Sequence, residues 1–87
     1  MVRSDDIVWF QDAGCGRVIN FYEVGDQMFV HVRLFANVRG EPSLLDENQQ
    51  KPTFADARSI VDACTWYRPS PGVIKIVIPP IAILSAV

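Results

Sequence analysis

Seven side chains in this 87-residue chain have the types and spacing to bind something: Trp9, Tyr22, Phe29, His31, Arg33, Phe35 and Trp66. Trp9, Tyr22, Phe29 and Trp66 are candidate walls of an aromatic pocket. Such a pocket attracts a methylated lysine through cation–π contact, and a nearby carboxylate, Asp12 or Glu23, would strengthen it. The competing reading is that these rings, with Phe10, Phe35 and Tyr67, simply fill a small core. The run Phe29, His31, Arg33, Phe35 mixes aromatic and basic groups on one side of an extended segment. Single-stranded nucleic acid is bound by interleaving of that kind, rings stacking on bases and cations pairing with phosphates. A sheet face covered by a partner or by another part of a longer parent chain would look the same.

Catalytic and metal chemistry find less support. Cys15 and His31 are one thiol and one imidazole, with no third group specified to orient them. There is one histidine and there are two distant cysteines, without C-x-x-C or H-x-x-x-H spacing. The carboxylate pairs Asp5-Asp6 and Asp46-Glu47 lack a calcium-loop pattern. Gly14-Cys15-Gly16 precedes a strand, whereas a dinucleotide-binding glycine motif opens a helix. The expectation is a non-enzymatic protein with no catalytic residue, no metal ligands and no cofactor.

The elements that must position the aromatic residues are short strands. Residues 7–10 (IVWF) are bulky β-formers throughout. Small residues at Ala13, Gly14 and Gly16 let the chain reverse, and residues 17–24 form the second strand. Gly25-Asp26 makes the next turn. Residues 27–38 form the third strand, with Met28, Val30, Val32, Leu34 and Ala36 toward the core and Phe29, His31, Arg33, Phe35 and Asn37 outward. Residues 39–53 read as a long polar loop with two prolines and a DENQQK run. Residues 54–64 fit a short helix or a strand, leading into a strand at 60–66. RPSPG at 68–72 is a sharp turn. Residues 73–78 are the last strand, with Ile74, Ile76 and Ile78 inward. Pro79-Pro80 stops it, and residues 81–86 suit a short C-terminal turn. The fold class expected is all-β: a small barrel of five or six strands with one long polar loop.

The runs Ile7-Val8-Trp9-Phe10, Gly16-Arg17-Val18-Ile19-Asn20-Phe21-Tyr22-Glu23 and Phe29-Val30-His31-Val32-Arg33-Leu34-Phe35 resemble the opening strands of bromo-adjacent homology (BAH) domains. More loosely they are similar to SH3-like and Tudor barrels. The closing IVIPPIAILSA segment also resembles β-barrel regions of transposon-derived proteins in mushroom-forming fungi. The likeness covers about half the chain, which is much shorter than typical BAH domains and lacks their long inserts. It implies a chromatin-associated interaction module and an intracellular, nuclear setting.

Composition sets the remaining bounds. Hydrophobic residues make up 49% and charged residues 21%, a globular balance for one domain spanning residues 1–87. A net charge of −2 provides no global attraction to nucleic acid, although a local patch of Arg17, Arg33, Arg39 and Arg68 remains open. Two cysteines are too few for a disulfide scaffold; free thiols in a reducing compartment are expected, and a single bridge between Cys15 and Cys64 stays open. The Ile- and Val-rich end is broken by prolines and Lys75, too short to span a bilayer, so no membrane partner is expected. Its apolar character suggests a domain excised from a longer protein, ahead of the alternative that the tail packs into the core. Three functions stay open: a protein- or peptide-binding module, a nucleic-acid accessory domain, and a structural module docking on its parent chain. A homodimer through an unpaired strand edge is a further option.

Overall fold

The computed structural model describes residues 2–11 and 13–78. The strands are β1 (Ile7–Phe10), β2 (Gly14–Val24), β3 (Gln27–Asn37), β4 (Leu44–Asp56), β5 (Ile60–Ala63), β6 (Thr65–Ser70) and β7 (Val73–Val77). Short 3₁₀ turns at Val38–Gly40 and Ala57–Ser59 join β3 to β4 and β4 to β5. These seven strands of the described residues belong to one antiparallel sheet, in the order β5-β1-β2-β3-β4-β7-β6. The sheet curls into a small, nearly closed barrel compatible with an SH3-like fold.

Local sequence explains the central hairpin. Val24 pairs with Gln27, leaving a two-residue loop of Gly25-Asp26. Gly25 has φ +60° while Asp26 stays on the ordinary side, the requirement of a type II′ turn. Gly16 serves a different purpose from the turn expected of it. It lies within β2, and a Cβ there would sit 2.5 Å from Val32 Cγ2 and 3.0 Å from the Arg33 carbonyl oxygen. Its missing side chain lets β2 and β3 approach closely.

Strand alternation sends neighbouring residues of β1 to two different cores. Val8 and Phe10 join Val18, Val30 and Val32, with Phe21, Leu34, Ala55 and Ile60 packed alongside. Strands β1 to β5 all contribute to this cluster, which is the barrel interior. Ile7 joins Cys15, Phe35, Leu45, Cys64, Ile74 and Ile76, with Trp9 and Trp66 against them. This second cluster lies on the outer face of β1 to β3, and the β6–β7 hairpin covers it. Each fully buried aliphatic side chain contributes about 1.5–3 kcal/mol, so both layers weigh in stability.

A single residue, Cys64, separates β5 from β6, yet these strands stand at opposite ends of the sheet order. The Cys64 N–H donates to the Ile7 carbonyl at 2.8 Å. The chain therefore crosses the outer face of β1 in one step and places the hairpin over that face.

Several expectations need correction. Among the described residues the sheet has seven strands, where five or six were expected. Most of the expected polar loop at 39–53 is strand: β4 pairs with β3 from Asn37↔Leu45 to Phe29↔Asp56. Its polarity reflects an edge. Only Leu44, Leu45 and Asp46 have β7 on the other side, so Lys51 and Pro52 lie where an unpaired strand side tolerates them and resists foreign pairing. The register jumps from Phe35↔Gln50 to Ala36↔Asp46, so residues 47–49 bulge out where β4 changes from edge to interior strand. Residues 54–64 form no α-helix; they hold the end of β4, a 3₁₀ turn and β5. The strand expected at 60–66 is broken at Cys64, and β6 extends to Ser70, which confines the RPSPG turn to Pro71-Gly72. On β3, Val30 and Val32 are buried as expected, while Met28 is exposed near the hairpin tip. Phe35 was expected to face outward. It does share the face of His31 and Arg33, but the hairpin and Leu45 bury it to 7% exposure. The stop at Pro79-Pro80, the C-terminal turn and the Asp12 carboxylate lie outside the described residues.

Candidate functional site

The outer face of β2, β3 and β4 continues beyond the hairpin and carries a patch of rings. Register places Tyr22 across from Phe29, Phe29 across from Asp56, and His31 across from Asn20 and Phe54. Residues directly opposite in antiparallel strands share a face. A bulge between Val18 and Asn20 absorbs one residue of β2 and brings Asn20 and Tyr22 onto the same face as Arg17. Without that bulge Tyr22 would point into the barrel.

Phe54 is the centre of the patch. Its ring stacks on His31, centroids 4.8 Å apart and planes 20° from parallel. It also meets Tyr22 at 6.0 Å with a 58° tilt. Phe54 is 65% exposed and Tyr22 44%. Phe29 and His31 are half-buried, and exposed Val24 extends the apolar surface toward the hairpin tip. Asp26 in the turn and Asp56 beside Phe29 border it with carboxylates.

Asp56 has a structural task as well. Its carboxylate accepts from the Arg58 backbone N–H at 2.9 Å and from the Arg58 guanidinium at 2.7 Å, capping the 3₁₀ turn to β5. Those hydrogen bonds, first from the side chain and then from the backbone, lower the Asp56 pKa to about 2.

A second cluster lies nearer the hairpin. Arg68 grips Glu47 with two hydrogen bonds, 2.7 Å and 3.0 Å, and lies 5.0 Å from the Trp66 ring. Arg17 approaches the same carboxylate at 3.9 Å and sits 5.8 Å from the Phe35 ring. The Arg68 hydrogen bonds hold Glu47 below the usual carboxylate range. Arg33 is exposed and stands across from Arg17 in register. Of the four arginines expected to make a basic patch, Arg17 and Arg68 thus converge on one acidic residue. Arg39 stands apart in the turn after β3, with φ +54°.

The expected site residues therefore fall into two groups. Tyr22, Phe29 and His31 come together, with Arg33 next along β3. Trp9 and Trp66 instead pack against the outer cluster, where Phe35 is buried. The four expected pocket walls do not form one cage. Phe54 was missed, because only the β3–β4 register puts it beside His31, and its stretch reads as a polar loop with an ambiguous end. Cys15 lies in the outer cluster while His31 belongs to the patch, and nothing links them as a catalytic pair.

A small apolar cavity of about 170 Å³ opens between Phe10, Val32, Leu34, Thr53, Ala55 and Ser59. Among the described residues no titratable side chain lines it. Among the described residues no three His, Cys, Asp or Glu side chains cluster as metal ligands would, and no helix is long and apolar enough to cross a membrane. Comparison with protein families, with curated proteins and with solved structures finds no match.

Proposed function

We propose that this chain is a non-catalytic interaction module that docks a basic protein or peptide segment on the outer face of β2, β3 and β4. The exposed cluster of Tyr22 and Phe54, backed by Phe29 and His31, carries this reading. Large rings held on rigid strands provide contact area at low entropic cost, and such residues dominate binding energy at interfaces. Ring faces also attract cations. The bordering carboxylate of Asp26 favours Lys or Arg in the partner over acidic residues.

The likeness of the opening strands to BAH domains makes lysine-rich, chromatin-type peptides the first partners to test. Amide-resolved NMR titration with unmodified and trimethyl-lysine peptides, and with a single-stranded oligonucleotide, separates the alternatives. Peptide-induced shifts at Tyr22, Phe29, His31 and Phe54, weakened tenfold or more by Phe54→Ala with the fold intact, support the proposal. Oligonucleotide-induced shifts centred on Arg17 and Arg33 that weaken steeply with salt would replace it with nucleic-acid binding. Silence toward every probe would leave a structural role.

A further inference from the structure

Cys15 stands in β2, and Cys64 is the lone residue between β5 and β6. Register puts Cys15 beside Trp9 of β1, while the Cys64 backbone is bonded to Ile7 on the opposite side of the same strand. Ile7 and Trp9 share the outer face of β1, so the two cysteines meet over that face from either side. They are 3% and 9% exposed in one apolar cluster, and both are free thiols. Each thiol shifts the ionisation of the other, as close neighbours within that cluster do.

We propose that Cys15 and Cys64 form a reversible intramolecular disulfide that staples the β5–β6 crossover to β2. The oxidant is a low-molecular-weight disulfide such as oxidised glutathione. One thiol, as thiolate, attacks that disulfide, forms a mixed disulfide and expels one glutathione thiol. The second then attacks the protein sulfur and expels the other glutathione. Two protein S–H bonds and one glutathione S–S bond are lost; one protein S–S bond and two glutathione thiols are gained.

The environment orders the two roles. Cys64 is the less enclosed thiol, and its contact with Cys15 lowers its pKa. That same contact and burial push Cys15 up. Cys64, the more exposed of the two, therefore captures the oxidant as thiolate, and Cys15 resolves the mixed disulfide. The resulting bond keeps the β6–β7 hairpin seated over Phe35 and Leu45.

The test starts with the reduced full chain, incubated natively with excess oxidised glutathione and separately refolded from denaturant in a glutathione redox buffer. Intact mass and peptide mapping without reductant read the product. The expected product is a monomer lighter by two hydrogens with a Cys15–Cys64 linkage, restored by dithiothreitol. Its melting temperature should rise by about 10 °C. Cys15→Ala and Cys64→Ala should each abolish that product. Only glutathione adducts, only disulfide-linked chains, or thiols that stay reduced in both protocols would overturn the proposal.

Discussion

Phe54 of β4 lies directly across from His31 of β3, and the two rings stack with centroids 4.8 Å apart. The pair joins an exposed ring to a half-buried one, so it presents a surface while being held from below. An exposed ring fixed this way loses little further entropy on binding.

Phe54→Ala should therefore separate binding from stability. The lost ring contacts are worth roughly 0.5–1.5 kcal/mol, and at 65% exposure little buried area goes with them. Denaturant unfolding should show a loss of about 1 kcal/mol with an unchanged m-value. A loss several times larger would mean that Phe54 is a core residue and not a docking surface.

Gly16→Ala should be costly although the change is one methyl group. The new Cβ would meet Val32 Cγ2 at 2.5 Å and the Arg33 carbonyl oxygen at 3.0 Å. Overpacking of this kind costs about 1–3 kcal/mol. Gly40→Ala is an informative contrast: its Cβ meets nothing, so any loss there comes from φ +74° alone. Equilibrium unfolding of the two variants distinguishes crowding from backbone strain.

Ile76→Ala should loosen the hairpin before it unfolds the barrel. Ile76 is 2% exposed and belongs to the outer cluster only. A large-to-small change at such a site costs about 2–5 kcal/mol. Thiol labelling of Cys15 and Cys64 should accelerate, while amide exchange at Val30 and Val32 in the inner cluster should be less affected. Equal loss of protection in both layers would show that they unfold as one unit.

Acid should weaken the turn between β4 and β5. The Asp56 pKa is lowered to about 2 by Arg58, whereas an unfolded Asp titrates near 3.9. A group depressed in the folded state stabilises it above the unfolded value, and that contribution fades as pH falls toward about 2. An NMR titration should place the Asp56 midpoint near 2, and Arg58→Ala should move it up toward the ordinary range. A midpoint already ordinary in the unmodified chain would contradict the pairing. Glu47 has the same sign through Arg68, so its contribution also disappears with acid.

Releasing Glu47 should change the arginines more than the fold. Glu47→Gln leaves Arg17 and Arg68 without their shared carboxylate. Ion pairs near the surface contribute up to about 1 kcal/mol, so unfolding should shift by no more than that. Any weak affinity for an oligonucleotide should rise, with a steeper salt dependence. No rise would mean that these arginines do not face a nucleic-acid surface.

Local chemistry by itself determined the all-β class, the Gly25 hairpin, the alternation that buries Val30 and Val32, and the inward Ile74 and Ile76. These depend on the twofold period of a strand and on the few residues that tolerate a positive φ. The identity of β4, the burial of Phe35, the joining of Phe54 to His31 and the meeting of Cys15 with Cys64 depended on the tertiary structure. In each case the deciding partner is distant in the chain. A polar edge strand has the composition of a loop until a neighbour supplies its hydrogen bonds. An outward aromatic stays outward until a hairpin covers it, and here a one-residue crossover at Cys64 carries that hairpin onto β1.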